Sequence, residues 1–221
     1  GRFGACLMAT PDVVADCVAA IRNATSLPVT VKHRIGIDDQ DIDRDLENFV
    51  VQVSAAGCHT FVVHARKAWL KGLNPKQNRD VPPLDYTRVY RLKAEHPDLE
   101  IIINGGIRSL DEAEQHLQYV DGVMMGREAY HNPYILAEVD QRFYGVSPKP
   151  RQRDEVVDSI IPYIEQELGR GTALSYITRH MLGLYQGQPG AKGWRRTLSE
   201  QARHKTAGLE VLQMAQGWVK Q

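Results

Sequence analysis

At 221 residues with 43% apolar content, the chain is long enough to bury the core of one large domain or two small ones. Its 27 basic and 27 acidic residues cancel, so bulk charge identifies no partner, and no apolar run approaches the roughly 20 residues of a membrane span. Cys6, Cys17 and Cys58 form no CxxC pair and an odd set, which argues against a disulfide scaffold and predicts a reducing, cytoplasmic setting.

In chain order, Thr10 stands as an N-cap before Pro11, and Val13, Val14, Cys17, Val18 and Ile21 follow at helical spacing. A β-branched run at Val29 to Val31 predicts the first strand. "DIDRDLENFVVQVSAAG" places Ile42, Leu46, Phe49, Val50 and Val53 on one helical face and stops at Gly57, a C-terminal glycine signal. Strands follow at Phe61 to Val63, at Ile101 to Ile103 and within "DGVMMGREAY", with a helix over "YTRVYRLKAEHP". Ser109 with Glu112 predicts a capping box for the helix "SLDEAEQHLQYV", and "NPYILAEVDQRFYG" predicts one more helix.

This is a run of four βα units with uniformly apolar strands, as expected of a parallel sheet covered by helices. A doubly wound sheet and a (β/α)8 barrel both fit that pattern. Lys32, His64, Asn104 and Gly126-Arg127 lie at the C-terminal ends of successive strands, where barrel enzymes carry their chemistry. The reading is therefore a TIM-barrel portion over residues 1–146, its C-terminal half, with the earlier units expected outside this chain. After the Pro-rich "GVSPKPRQRD", helical patterns without strands predict an all-α domain over residues 152–221.

Asn104-Gly105-Gly106 ends an apolar strand in residues that let backbone N–H groups approach an anion, just before a helix start. Gly126-Arg127 ends the next strand similarly and adds a guanidinium. Two such loops in succession predict phosphate binding. A strand-end lysine such as Lys32 is able to form a Schiff base, act as a base or hold negative charge on a bound cofactor, and His64 is placed to hydrogen-bond the same ligand. A ring of donors beside a phosphate clamp suggests flavin mononucleotide, FMN. Neither His59 nor His64 has a partner at ligand spacing, and His33 is flanked by cations, so no metal site is predicted.

Charge is unevenly distributed: between Arg170 and Lys205 seven Lys and Arg face the single acid Glu200. "HARKAWLKGLNPKQNR" places Lys76 and Arg79 near Trp69, and "GQPGAKGWRRTLSEQARHK" places Lys192 and Arg195 near Trp194. Cations that pair phosphates beside aromatics that stack on bases predict RNA binding.

The ordered set "GRFGACLM", "VTVKHRIGIDD", "FVVHARKAWLKGLNPKQNR", "IIINGGI", "GVMMGREAYHNP" and "TRHMLGLYQGQPGAKGWRR" resembles the bacterial tRNA-dihydrouridine synthases, subfamily A, over the whole length. The resemblance implies a TIM barrel followed by a helical tRNA-binding domain, monomeric and cytoplasmic. It implies an FMN enzyme that uses NADPH to reduce D-loop uridines U20 and U20a of tRNA to dihydrouridine. Lys32 and His64 would then contact the flavin ring, with Lys32 at its N1/O2 edge. Asn104, Gly105, Gly106, Gly126 and Arg127 would hold the ribityl-phosphate end, and Lys76, Arg79, Lys192 and Arg195 would contact tRNA. The family's proton-donating cysteine lies in a motif expected before residue 1, so Cys6 is not that residue and no catalytic residue is assigned in this chain; the chain by itself is expected to be inactive. A small-molecule FMN oxidoreductase and a non-catalytic RNA-binding fragment are the alternative readings; salt-sensitive tRNA binding speaks against the first and bound flavin against the second.

Overall fold

All four expected strands form. The computed structural model describes residues 3–146 and 149–219, and its contacts divide into two compact units, Gly1–Met125 and Gly126–Gln221. In the first unit, α1 (Pro11–Ala24) leads into β1 (Thr30–Arg34), α2 (Arg44–Ala55), β2 (Thr60–His64), α3 (Tyr86–Glu95), β3 (Glu100–Asn104), α4 (Leu110–His116) and β4 (Gly122–Met124). The sheet is parallel throughout, in the order β1-β2-β3-β4.

That order decides between the two architectures the sequence leaves open. A doubly wound sheet needs a reversal of strand order, which puts helices on both faces. An unreversed order with right-handed crossovers winds the chain one way and puts every connecting helix on the same face. This sheet is singly wound, as in a segment of a (β/α) barrel.

The two faces differ accordingly, which corrects the expectation of uniformly buried strands. Phe61, Val63, Ile101 and Ile103 are fully buried on one face, under Leu46, Phe49, Val50 and Val53 of α2 and Val89 and Leu92 of α3. On the other face Thr30, Lys32, Arg34, His64, Glu100 and Asn104 stay at least partly accessible among the described residues. The apolar runs obscure the alternation because Val62 and Ile102 sit on the polar face, Ile102 lying against Gly122, where an added Cβ would come within 3.1 Å of its Cγ1.

His33 points to the covered face, between Phe49 and Phe61, with ring centroids 5.0 and 5.7 Å away. Its Nδ1 lies 2.7 Å from the Arg34 carbonyl and so carries the proton, while Nε2 is buried without a partner. Burial pulls its pKa down to about 4, against the opposing effect of that hydrogen bond and aided by the Lys32 charge. The unfolded chain takes up this proton near 6.5 and the folded one only near 4, so stability is full above the first value and falls as the pH drops toward the second. The expected loss across that window is about 3 kcal/mol. Urea unfolding at both ends of the window tests this: His33→Leu should flatten that part of the profile, and an unchanged slope would refute it.

Helix ends follow the sequence in part. Gly57 N–H bonds Ser54 O at 2.8 Å and Cys58 N–H bonds Val53 O at 3.3 Å, a Schellman closure of α2. Ser109 Oγ accepts from Glu112 N–H at 3.1 Å, but the reciprocal half of the predicted capping box is absent, since Glu112 accepts from Arg108 N–H instead. Thr10 does not cap α1: its hydroxyl is turned back to the Leu7 carbonyl at 3.4 Å. On α1 only Val18 is buried, and Val13 and Ile21 remain exposed among the described residues.

The second unit contains α5 (Arg127–His131), α6 (Val139–Tyr144), α7 (Arg153–Gly169), α8 (Leu174–Thr178), α9 (Ala191–Gln201) and α10 (Leu209–Gln216). The helix expected from "NPYILAEVDQRFYG" begins as a 3-10 segment, Pro133–Glu138, and becomes α6 only at Val139. "TALSYITRHMLGLYQ" is helical only to Thr178, after which 3-10-type bonds such as Met181 N to Thr178 O, 3.0 Å, tighten the chain. The tightening brings Met181, Leu184 and Tyr185 onto Trp194, with Val157, Ile164, Leu198 and Leu212 completing the core. The change of sequence character near Val146 to Arg151 lies inside this unit; positions 147 and 148 lie outside the described residues.

Candidate functional site

The accessible face of the sheet gathers Lys32, His64 and Asn104. Lys32 reaches across β2, a distance of two strand spacings, or roughly 10 Å, and donates to Asn104 Oδ1 at 2.9 Å. Asn104 Nδ2 donates to the Met124 carbonyl at 2.8 Å, which fixes the direction of its amide. One side chain thus ties β1, β3 and β4 together and aims the lysine. Burial, then the neighbouring Arg34 charge, lowers the Lys32 pKa.

Gly105 and Gly106 turn the chain with φ of +126° and +71°, which disfavours any side chain. A Cβ at Gly105 would stand 2.7 Å from His64 Cδ2 and 2.9 Å from Leu84 Cδ2, and one at Gly106 would stand 2.7 Å from Leu84 Cδ1. The first glycine therefore sets where the imidazole lies. Tyr86 Oη donates to the Gly105 carbonyl at 2.7 Å and pins the turn. Among the described residues, the N–H groups of Gly105 and Gly106 take no part in backbone hydrogen bonds. The turn is a rigid cradle with donors to offer, the fit a phosphorylated ligand requires.

The sequence does not reveal that Arg34 and Arg66 anchor a loop. Arg34 Nη1 donates to the carbonyls of Lys67 and Asn78 at 2.9 and 2.7 Å, and Arg66 Nη1 to those of Asp80 and Pro82. Both staple the long loop after β2 to the strand ends. Asn78 holds the loop from within, accepting from Trp69 N–H and donating to Trp69 O, each at 2.8 Å. Burial, then Arg66, then Arg79, lowers the Arg34 pKa, so cations accumulate around this guanidinium. An arriving anion relieves that repulsion.

Lys76 precedes and Arg79 closes the 3-10 turn Gln77–Arg79 of this loop; both are exposed and neither forms an ion pair among the described residues. Trp69 is 38% exposed, with Lys67 Nζ 5.8 Å from its ring centroid.

In the second unit Gly126 caps α5 and Arg127 opens it. A Cβ at Gly126 would meet nothing within 4 Å, and its φ of −114° suits any residue, so no contact inside the protein demands glycine there. Lys192 and Arg195 lie on the exposed side of α9, where Arg195 Nη1 bonds Gln186 Oε1 at 3.3 Å. Trp194 does not join them. It is fully buried, its Nε1 donates to the Met181 carbonyl at 3.1 Å, and Tyr185 packs on it at 4.8 Å, so the expectation that it stacks on bases is corrected. Helical period explains this: Trp194 falls on the inward side with Ala191, Thr197 and Leu198.

No cysteine stands among the strand-end residues. Cys58 is buried in the core, Cys17 is on the surface of α1, and Cys6 Sγ bonds the Phe3 carbonyl at 3.2 Å.

The model of the dihydrouridine synthase (Dus) family matches residues 1–218. Curated proteins named tRNA-dihydrouridine(20/20a) synthase are similar throughout: 57% identical over 97% of this chain in Vibrio cholerae, 57% over 97% in Shewanella oneidensis and 58% over 97% in Escherichia coli K12. The chain spans 66%, 64% and 63% of the length of these relatives, slightly less than two thirds. A cationic strand-end cluster, a glycine cradle and a family match over nearly every residue lead to one conclusion: the chain belongs to the dihydrouridine synthase family.

Proposed function

We propose that this chain supplies flavin-binding strand ends and tRNA-binding surface to a tRNA-dihydrouridine synthase acting on U20 and U20a. The observation that carries the reading is the Lys32–Asn104–Met124 tie beside the Gly105-Gly106 cradle, a preorganised donor set on one sheet face. Its donors match the polar edge and phosphate of FMN, and the sheet belongs to a (β/α)8 barrel. Bound flavin, recharged by NADPH, would supply the electron pair that saturates the C5=C6 bond of uracil.

The chain's own residues bind and orient. Lys32 holds negative charge at the flavin ring, and His64, seated against Gly105, directs its imidazole at the same ligand. Asn104 keeps the lysine in place, while Gly105 and Gly106 take the ribityl-phosphate. No residue here is assigned to protonate C5. Lys76, Arg79, Lys192 and Arg195 take tRNA phosphates. The protein is a cytoplasmic monomer in this reading; among the described residues no helix is long and apolar enough to cross a membrane.

The decisive assay is dihydrouridine formation at U20 and U20a of an unmodified tRNA transcript, with FMN and NADPH, by a polypeptide of the relatives' full length carrying this sequence. Product at other positions, or none, overturns the proposal. Neutralising any one of Lys76, Arg79, Lys192 or Arg195 is expected to weaken tRNA binding across all substrates and lower the magnitude of the salt slope by roughly one unit. Flavin content should not change; if Lys192→Ala/Arg195→Ala loses flavin and binds tRNA normally, the division of labour is wrong.

A further inference from the structure

The exposed side of α9 continues beyond the two cations already assigned. Lys192, Arg195 with Arg196, and Ser199 follow one another at steps of three or four residues, and Arg203 follows just past the end of the helix, while Ala191, Trp194, Thr197, Leu198 and Ala202 are buried. From Lys192 to Ser199 such a stripe runs roughly 10 Å, more than one nucleotide can cover. Its far end opens into a cleft of about 260 Å³ between α9 and the segment that includes α8.

That cleft combines three kinds of group. Tyr176 presents an aromatic ring that is 61% exposed, so its π-face is open to a partner. Arg179 holds its guanidinium 4.7 Å from the centre of that ring, and Arg203, just past the end of α9, also lines the cleft. Neither arginine forms an ion pair among the described residues. Leu182, half-buried, adds an apolar lining, and Ser199 adds a hydroxyl. A planar apolar group flanked by phosphates matches all of these at once: the ring stacks, Leu182 covers an edge, and the guanidiniums take the charge. An acidic peptide would satisfy the arginines and leave the ring without a partner.

We propose that the Tyr176–Arg179–Arg203 cleft is a nucleotide subsite that receives an unpaired base of the RNA substrate and its adjoining phosphate, extending the Lys192–Arg195 contact along the same strand. The inference rests on the tRNA reading above and names where the helical unit distinguishes an unstacked nucleotide from continuous duplex. The ring supplies affinity for a splayed base, and Arg203 continues the phosphate track.

The test measures binding by the full chain to an unmodified tRNA transcript and to a fully paired RNA duplex of similar mass. Tyr176→Ala is expected to weaken tRNA binding about five- to tenfold, in the range of one lost stacking contact, with an unchanged salt slope and unchanged duplex binding. Tyr176→Phe should bind within about twofold of wild type, since the π-face is kept. Arg203→Gln should lower the salt slope by roughly one unit. All three are surface changes, and thermal unfolding verifies that the fold is intact. Wild-type affinity in Tyr176→Ala, together with weakened binding in Lys192→Ala/Arg195→Ala, overturns the subsite and leaves the proposed function standing. Equal weakening in Tyr176→Phe and Tyr176→Ala overturns the stacking role. A wild-type chain that does not prefer tRNA to duplex overturns both readings together.

Discussion

Lys32→Met is expected to lower dihydrouridine formation at least about tenfold in a polypeptide of the relatives' length, because a preorganised charge at a reacting ligand contributes several kcal/mol. Methionine keeps most of the stem and removes only the donor and its charge. The preorganisation is visible: the ammonium is held 2.9 Å from Asn104 Oδ1, and Asn104 is itself held by the Met124 carbonyl. Burial and the Arg34 charge lower the Lys32 pKa, so the folded site carries a cation at some cost, which an anionic ligand offsets. Unfolding temperature should be little changed, since the substituted side chain lies on the accessible face. Turnover equal to wild type at saturating flavin would remove Lys32 from the reaction. Asn104→Ala should give a smaller loss, leaving the charge but not its aim.

The largest stability effect is expected at Gly190, which caps α9 with φ of +77°. A Cβ there would overlap the carbonyl oxygen and carbon of Trp218, which are backbone atoms unable to rotate away. Gly193, one turn on, meets the Trp218 ring in the same way, so both glycines of "GAKGW" exist to seat that tryptophan. Gly190→Ala combines a left-handed backbone penalty with forced displacement of the last turn, about 3 kcal/mol or more. Gly187 provides the control: its φ is also +77°, but nothing lies within 4 Å of an added Cβ. Gly187→Ala should cost only about 1 kcal/mol. Denaturant unfolding followed by the fluorescence of buried Trp194 measures both, and equal losses would show that the Trp218 contact contributes nothing.

By itself the sequence determined the order and type of the elements of the first unit, because apolar period and turn residues act locally. Phe49, Val50 and Val53 announce the inward face of α2, Gly57 its end, and Asn104-Gly105-Gly106 the end of the third strand. The family was legible in the same way, through motifs in fixed order. Tertiary structure decided what depends on distant chain segments. Strand order alone told a singly wound sheet from a doubly wound one, since both begin from the same βα pattern. Arg34 and Arg66 became loop staples only when the carbonyls of Lys67, Asn78, Asp80 and Pro82 were brought to them. Trp194 sits among cations in sequence and inside the core in space, because neighbours along a helix face in different directions. Tyr176 and Arg203, 27 positions apart in the chain, share a cleft only because the segment after Thr178 folds back tightly enough to lay α9 beside α8.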